Sequence, residues 1–164
     1  MVNTGAKLAI LRPMPRVRTA VTVPGLASEA EALWYDPQRW PAWVDGFGHV
    51  VKVEGDWPAP GARAVWDSRP GGRGRVVEQV TAYEARTGQT LEVEDEKLRG
   101  TQRVTFEPGA EGVEVALELT YELKQRNPLT PITDLLFIRR ALRDSLRRSL
   151  LRFGRERRGD MEPV

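Results

Sequence analysis

Residues 113–123, VEVALELTYEL, alternate without interruption: Val113, Val115, Leu117, Leu119, Tyr121 and Leu123 share one parity, while Glu114, Ala116, Glu118, Thr120 and Glu122 share the other. Successive strand side chains point to opposite faces, so this segment requires a sheet with one packed face and one wet face. The period then changes. Leu135, Ile138, Leu142, Leu146, Ser149 and Phe153 recur at steps of three or four, the stripe of a long amphipathic helix. Thr130 is its expected N-cap and Pro131 its first residue, and it should end near Gly154 or fray into the arginine-rich tail. A strand row that needs a cover, followed at once by a long apolar stripe, places that helix across the sheet.

The upstream chain supplies the rest of the sheet. RVRTAVTV at 16–23 alternates as a first strand, residues 26–35 are free of breakers and predict a short helix, and Pro37 opens a second helical turn that Pro41 interrupts. Strands are then predicted at 49–55, 62–68, 75–85, 89–96, 101–107 and 113–123, separated by turn sequences such as WPAPG, RPGGRG, Thr87-Gly88 and Arg99-Gly100. Hairpin-length connections make these a meander. Parity stays open in the strand at 75–85, where either Val76, Val80 and Ala82 or Val77, Gln79, Thr81 and Tyr83 face inward. The expected fold class is α+β: a curved antiparallel sheet of about seven strands around a long C-terminal helix, with two short helices after strand one. One domain over 16–155 is expected, between a loose leader at 1–15 and a polar tail at 156–164.

Composition narrows the chemistry. The chain of 164 residues has no Cys and one His, which excludes disulfides, thiolate nucleophiles, thiolate metal sites and multi-histidine metal sites. Neither a metal nor a cofactor is therefore expected. No apolar run approaches the roughly 18–20 residues of a spanning helix. The segment Leu8–Leu11 is too short for a signal peptide, so a cytoplasmic protein is expected. The net charge is only +2, yet residues 139–158 hold nine Arg against two acids, leaving −5 elsewhere.

Two motifs carry a resemblance. D-P-x-x-W-P-x-W at 36–43 and G-x-x-x-x-W-x-S-x-P-G-G-R-G at 61–74, in this order of elements, resemble the START/Bet v1-like superfamily in its polyketide cyclase/dehydrase-like branch, over roughly residues 16–155. The resemblance implies a helix-grip fold with an apolar cavity between sheet and helix, which the family uses for lipids, sterols, polyketides and plant hormones. Some members cyclise or dehydrate; many only bind.

The expected function is therefore binding of a hydrophobic, polyketide- or lipid-like small molecule. Its alternatives are a cyclase, aromatase or dehydratase in the same cavity, and an interaction or membrane-surface protein using the Arg-rich helix. A monomer or homodimer is expected, with no nucleic-acid partner and no integral membrane association. Trp43 and Trp66 are expected as aromatic walls, and Trp34 and Trp40 as fastenings of the short helices. Val115, Leu117, Leu119 and Tyr121 should face Ile138, Leu142 and Leu146 across a gap, with Val80, Leu91, Val93 and Phe106 completing the pocket.

Polar candidates are few. Tyr121, Tyr83 and Arg139 are the candidate catalytic groups, Arg139 being the helical arginine expected to reach inward. Asp95 is expected at a solvated strand end, and if buried it needs Arg103 or Arg75. His49 is expected to be structural or exposed. The glycines of RPGGRG form a hairpin turn and not a phosphate loop, since no Lys-Ser/Thr pair and no helix follow; Arg73 and Arg75 on it are available to an anionic group. The arginines flanking the helix stripe are expected to pair with Glu114, Glu118 and Glu122 or to be solvated.

Overall fold

The computed structural model describes residues 14–125, 129 and 131–163. The leader, apart from residues 14 and 15, and the expected cap Thr130 lie outside them. Strand β1 (Arg16–Val23) leads into helices α1 (Ala27–Trp34) and α2 (Trp40–Trp43). Then come β2 (Phe47–Glu54), β3 (Arg63–Ser68), β4 (Arg75–Glu84), β5 (Gly88–Glu94), β6 (Leu98–Gly109) and β7 (Gly112–Leu123). Helix α3 (Ile132–Gly159) closes the chain. All strand pairs are antiparallel, and the sheet order is β1-β7-β6-β5-β4-β3-β2. This is the helix-grip arrangement: a curved meander, closed by β1 beside β7, with α3 against its inner face and chiefly over β1.

The alternating row of β7 packs as its sequence requires, with Val113, Val115, Leu117, Leu119 and Tyr121 all buried. Facing it from α3 are Leu150 and Phe153, both essentially inaccessible. Leu135, Ile138, Leu142 and Leu146 are only half-buried, so the helix grips tightest toward its C-terminal end. No helix among the described residues is long and apolar enough to cross a membrane.

Several local expectations are corrected. Pro41 does not interrupt α2; it occupies the first turn, where its missing N–H has no intrahelical acceptor to lose. The turn before β6 lies at 95–97 rather than at Arg99-Gly100. Asp95 makes that turn itself: its carboxylate accepts from the Lys97 and Leu98 N–H groups at 2.8 and 2.9 Å. Gly100 is instead a strand residue opposite Tyr121, and a Cβ there would collide with the Thr120 carbonyl. Helix α3 begins at Ile132 with Pro131 as N-cap, and continues past Gly154 to Gly159. Arg157 is buried there and pairs with Glu29, while Glu156 and Asp160 accept from Arg39 at 3.1 and 3.0 Å. Ion pairs to α1 and to the α1–α2 segment thus hold in place what the composition reads as a polar tail.

The strand glutamates do not pair with α3. Glu114 and Glu118 meet Arg18 and Arg16 of β1, and Glu122 meets Arg99 of β6. The cause is the register: each Glu lies beside an arginine on the outer face of a neighbouring strand, whereas α3 lies on the inner face.

Candidate functional site

Beside α2, between the sheet and the middle of α3, lies a recess with about 640 Å³ of empty space, counting the part continuous with solvent. Only about 60 Å³ of it admits the centre of a water molecule, so it is a narrow slot. All five tryptophans border it: Trp34, Trp40, Trp43, Trp57 and Trp66. They reach it from α1, α2, the β2–β3 loop and β3, and they hold one another. Trp34 and Trp43 rings lie 4.5 Å apart, Trp40 meets Trp57 edge-on at 5.6 Å, and Phe47 stacks on Trp66 at 5.1 Å. Hydrogen bonds fix two indoles, Trp40 Nε1–H to the Trp34 carbonyl at 2.8 Å and Trp57 Nε1–H to the Tyr35 carbonyl at 3.0 Å. Trp43 Nε1 is buried without a hydrogen-bond partner among the described residues.

The inner wall carries more polar groups than the sequence led us to expect. Glu78 of β4 lies directly opposite Ala64 of β3 and Val93 of β5, two fully buried apolar residues, and borders the recess. Burial pushes its carboxyl above the ordinary range; the charge of Arg73 and the neighbouring Trp66 indole work in the opposite direction and do not cancel it. Arg73 is otherwise engaged. Its Nε–H donates to Asp95 at 2.8 Å, and its guanidinium lies 5.5 Å from the centre of the Trp66 ring. Asp95 is therefore buried, contrary to expectation, and its partner is Arg73 rather than Arg103 or Arg75. Arg75 pairs with Asp67 on the neighbouring strand. Gln89 and Gln102 also border the slot, Gln89 held by a bond to the Pro58 carbonyl at 3.1 Å.

One carboxylate ties α3 to the rim. Asp45, just after α2, accepts from Ser145 Oγ at 2.8 Å and from Arg148 at 3.0 and 3.2 Å, with Arg152 at 3.3 Å; its N–H donates to Ser149 Oγ at 2.9 Å. Burial alone would raise its pKa, but the bonds from Arg148 and Ser145 outweigh it and hold the carboxyl below its ordinary value. Arg148 and Arg152 thus pair with Asp45 rather than with the β7 glutamates.

Of the residues expected at the pocket, Trp43, Trp66, Leu91, Leu117 and Leu146 border the slot. Val80, Val93, Phe106, Val115, Leu119 and Tyr121 are buried in the core around it, and Ile138 and Leu142 pack against that core half-buried. None of the three catalytic candidates borders the slot. Tyr121 is buried, and that burial raises its pKa against the opposing charge of Arg139. Tyr83 packs edge-on against Tyr35 at 5.6 Å. Arg139 is exposed, because it lies off the stripe at an end of α3 where even Ile138 and Leu142 are only half-buried. Tyr121→Phe is accordingly expected to leave affinity for a slot-bound ligand within about twofold; a tenfold loss by calorimetry would place the phenol in the site. His49 is exposed, 3.5 Å from Asp67.

The open parity of β4 resolves both ways. Thr81 is an extra residue between the pairs Val80–Leu91 and Ala82–Thr90, so Val76, Glu78 and Val80 face inward before this bulge and Tyr83 after it. Glu78 shares the parity of Val76 and Val80, and that was the sequence signal for it.

A roomier hollow, with about 350 Å³ open to the centre of a water molecule against about 60 Å³ in the slot, lies on the outer face of the sheet, around Gln79, Glu92, Arg99 and Glu122. No aromatic ring lines it, and Arg99 is already matched by Glu122. Convergent aromatic and polar groups make the inner slot the candidate site.

A curved antiparallel sheet gripping one long C-terminal helix defines the helix-grip class of proteins. Residues 14–156 match the family described as polyketide cyclase / dehydrase and lipid transport, and the chain belongs to that family. Its fold is similar to that of TTHA0849 from Thermus thermophilus, with a TM-score of 0.74 at 18% identity over 90% of this chain and 100% of that one. It is also similar to the di-domain ARO/CYC StfQ from the steffimycin biosynthetic pathway, with a TM-score of 0.68 at 19% identity. DynU16, from the dynemicin biosynthetic locus, gives a TM-score of 0.62 at 21% identity. The match covers 90% and 87% of this chain but only 52% and 47% of StfQ and DynU16, respectively. No curated protein matches the chain.

Proposed function

We propose that the protein binds a flat, largely apolar small molecule in the slot between the sheet and α3. The observation that carries this reading is the convergence of all five tryptophans on one recess, because large rigid aromatic faces bury much area against a planar guest at small conformational cost. The narrow slot must widen to admit a fused-ring molecule, and the half-buried apolar Leu146 of α3 is the wall with least to displace. Calorimetric titration with 2-ethylnaphthalene, a fused-ring hydrocarbon without polar atoms, tests the reading. Saturable binding with a negative heat-capacity change is expected, and a protein that binds neither this hydrocarbon nor its ketone analogue 2-acetylnaphthalene rejects the proposal. A cyclase, aromatase or dehydratase would use the same recess and is distinguished by product formation from a bound chain.

A second reading has its own observation. Ile132, Leu136 and Phe137 are 75, 58 and 73% exposed at the start of α3, and Arg139, Arg140, Arg143 and Arg147 in the following turns make no ion pair among the described residues. Apolar side chains beside uncompensated arginines suit an anionic lipid surface. This reading expects the protein to sediment with phosphatidylserine-containing vesicles at low salt, with release as screening increases. Loss of capture in Arg143→Glu/Arg147→Glu is the accompanying result; protein that stays in the supernatant at every salt concentration rejects it.

A further inference from the structure

Glu78 is a carboxyl on the inner wall of an aromatic slot, and it makes no ion pair among the described residues. The nearby guanidinium of Arg73 is directed by its Nε–H to Asp95. A plain hydrocarbon would leave this carboxyl facing apolar surface, which disfavours its binding by the desolvation cost of the group. We propose that Glu78 determines which ligand the slot accepts, its carboxylic acid donating a hydrogen bond to a carbonyl oxygen of a flat aromatic guest.

The assignment of donor rather than acceptor follows from the surroundings. Ala64 and Val93, the cross-strand neighbours of Glu78, offer no solvation to a carboxylate, and its raised pKa agrees with that. The inference rests on the proposed binding function and narrows it from apolar guests in general to carbonyl-bearing ones.

The test compares two probes of nearly the same shape, 2-acetylnaphthalene and 2-ethylnaphthalene, by calorimetry on the whole protein. The wild type is expected to bind the ketone about three- to tenfold more tightly, the range of one net hydrogen bond. Glu78→Leu should abolish that preference while still binding the hydrocarbon, and Glu78→Gln, whose amide N–H₂ also donates, should keep part of it. With rising pH the ketone preference should fall as Glu78 ionises, and it should be flat in Glu78→Gln. The other charged groups bordering the slot are Arg73, paired with Asp95, and Asp45, held by Arg148 and Arg152; all of them remain in the variant. Equal binding of the two probes by the wild type overturns the role of Glu78 and leaves slot binding standing. Binding of neither overturns both. A ketone preference that survives in Glu78→Leu assigns selection to another group and also overturns the proposal.

Discussion

Leu117→Trp is expected to lower affinity for 2-ethylnaphthalene by at least tenfold in a protein that remains folded. Leu117 is 3% exposed, stands in the packed row of β7 and borders the slot. An indole at this position has one direction in which to grow, because Thr19 and Val104 flank it on the adjacent strands and the slot lies in front. Overpacking of a closed core costs about 1–3 kcal/mol; a ring that can enter existing space should fall toward the lower end. Circular dichroism and a cooperative thermal transition establish folding. Unchanged affinity in such a variant would show that the guest lies elsewhere, and the outer hollow around Arg99 and Glu122 would become the site to examine.

Phe153→Ala is expected to be the most destabilising single truncation of α3, at about 3–5 kcal/mol. Phe153 is 0% exposed, and its ring lies 5.3 Å from that of Trp34 and 5.2 Å from that of Trp43, edge-on to both. It therefore joins α3 to α1 and α2 through the same tryptophans that wall the slot. Truncation removes the ring and leaves a cavity that rigid indoles cannot collapse to fill. For a domain of this size each kcal/mol shifts the transition by about 2–4 °C, so a fall of about 6–20 °C in Tm is expected. Leu151→Ala, on the exposed side of the same helix turn, should shift it by far less, since Leu151 is 42% exposed. A loss below about 1 kcal/mol at Phe153 would contradict the packing described.

The sequence by itself determined the strand rows, the long helical stripe and the helix-grip order of elements. Periods of two and 3.6 are local properties that any chain displays one residue at a time, so the inward faces of Val113–Leu123 and of the Leu146–Phe153 stretch could be assigned before any partner was known. Two walls of the slot, Trp43 and Trp66, were legible on another ground, since they lie in the two motifs and large aromatic faces suit the wall of a cavity. Tertiary structure alone decided the rest of the site. A bulge at Thr81 inserts one unpaired residue, and no alternation pattern reveals where a strand will take it up; that insertion turns Tyr83 inward beyond it while leaving Glu78 on the inner wall before it. Ion pairing was equally hidden. Arg73 meets Asp95, Arg148 meets Asp45 and Glu118 meets Arg16 because strand register and helix placement bring them within 4 Å, across separations in sequence of 22, 103 and about 100 residues. Periodicity tells a charged residue which face it occupies, but Coulomb attraction acts through space, and only the assembled sheet and helix fix which opposite charge is near.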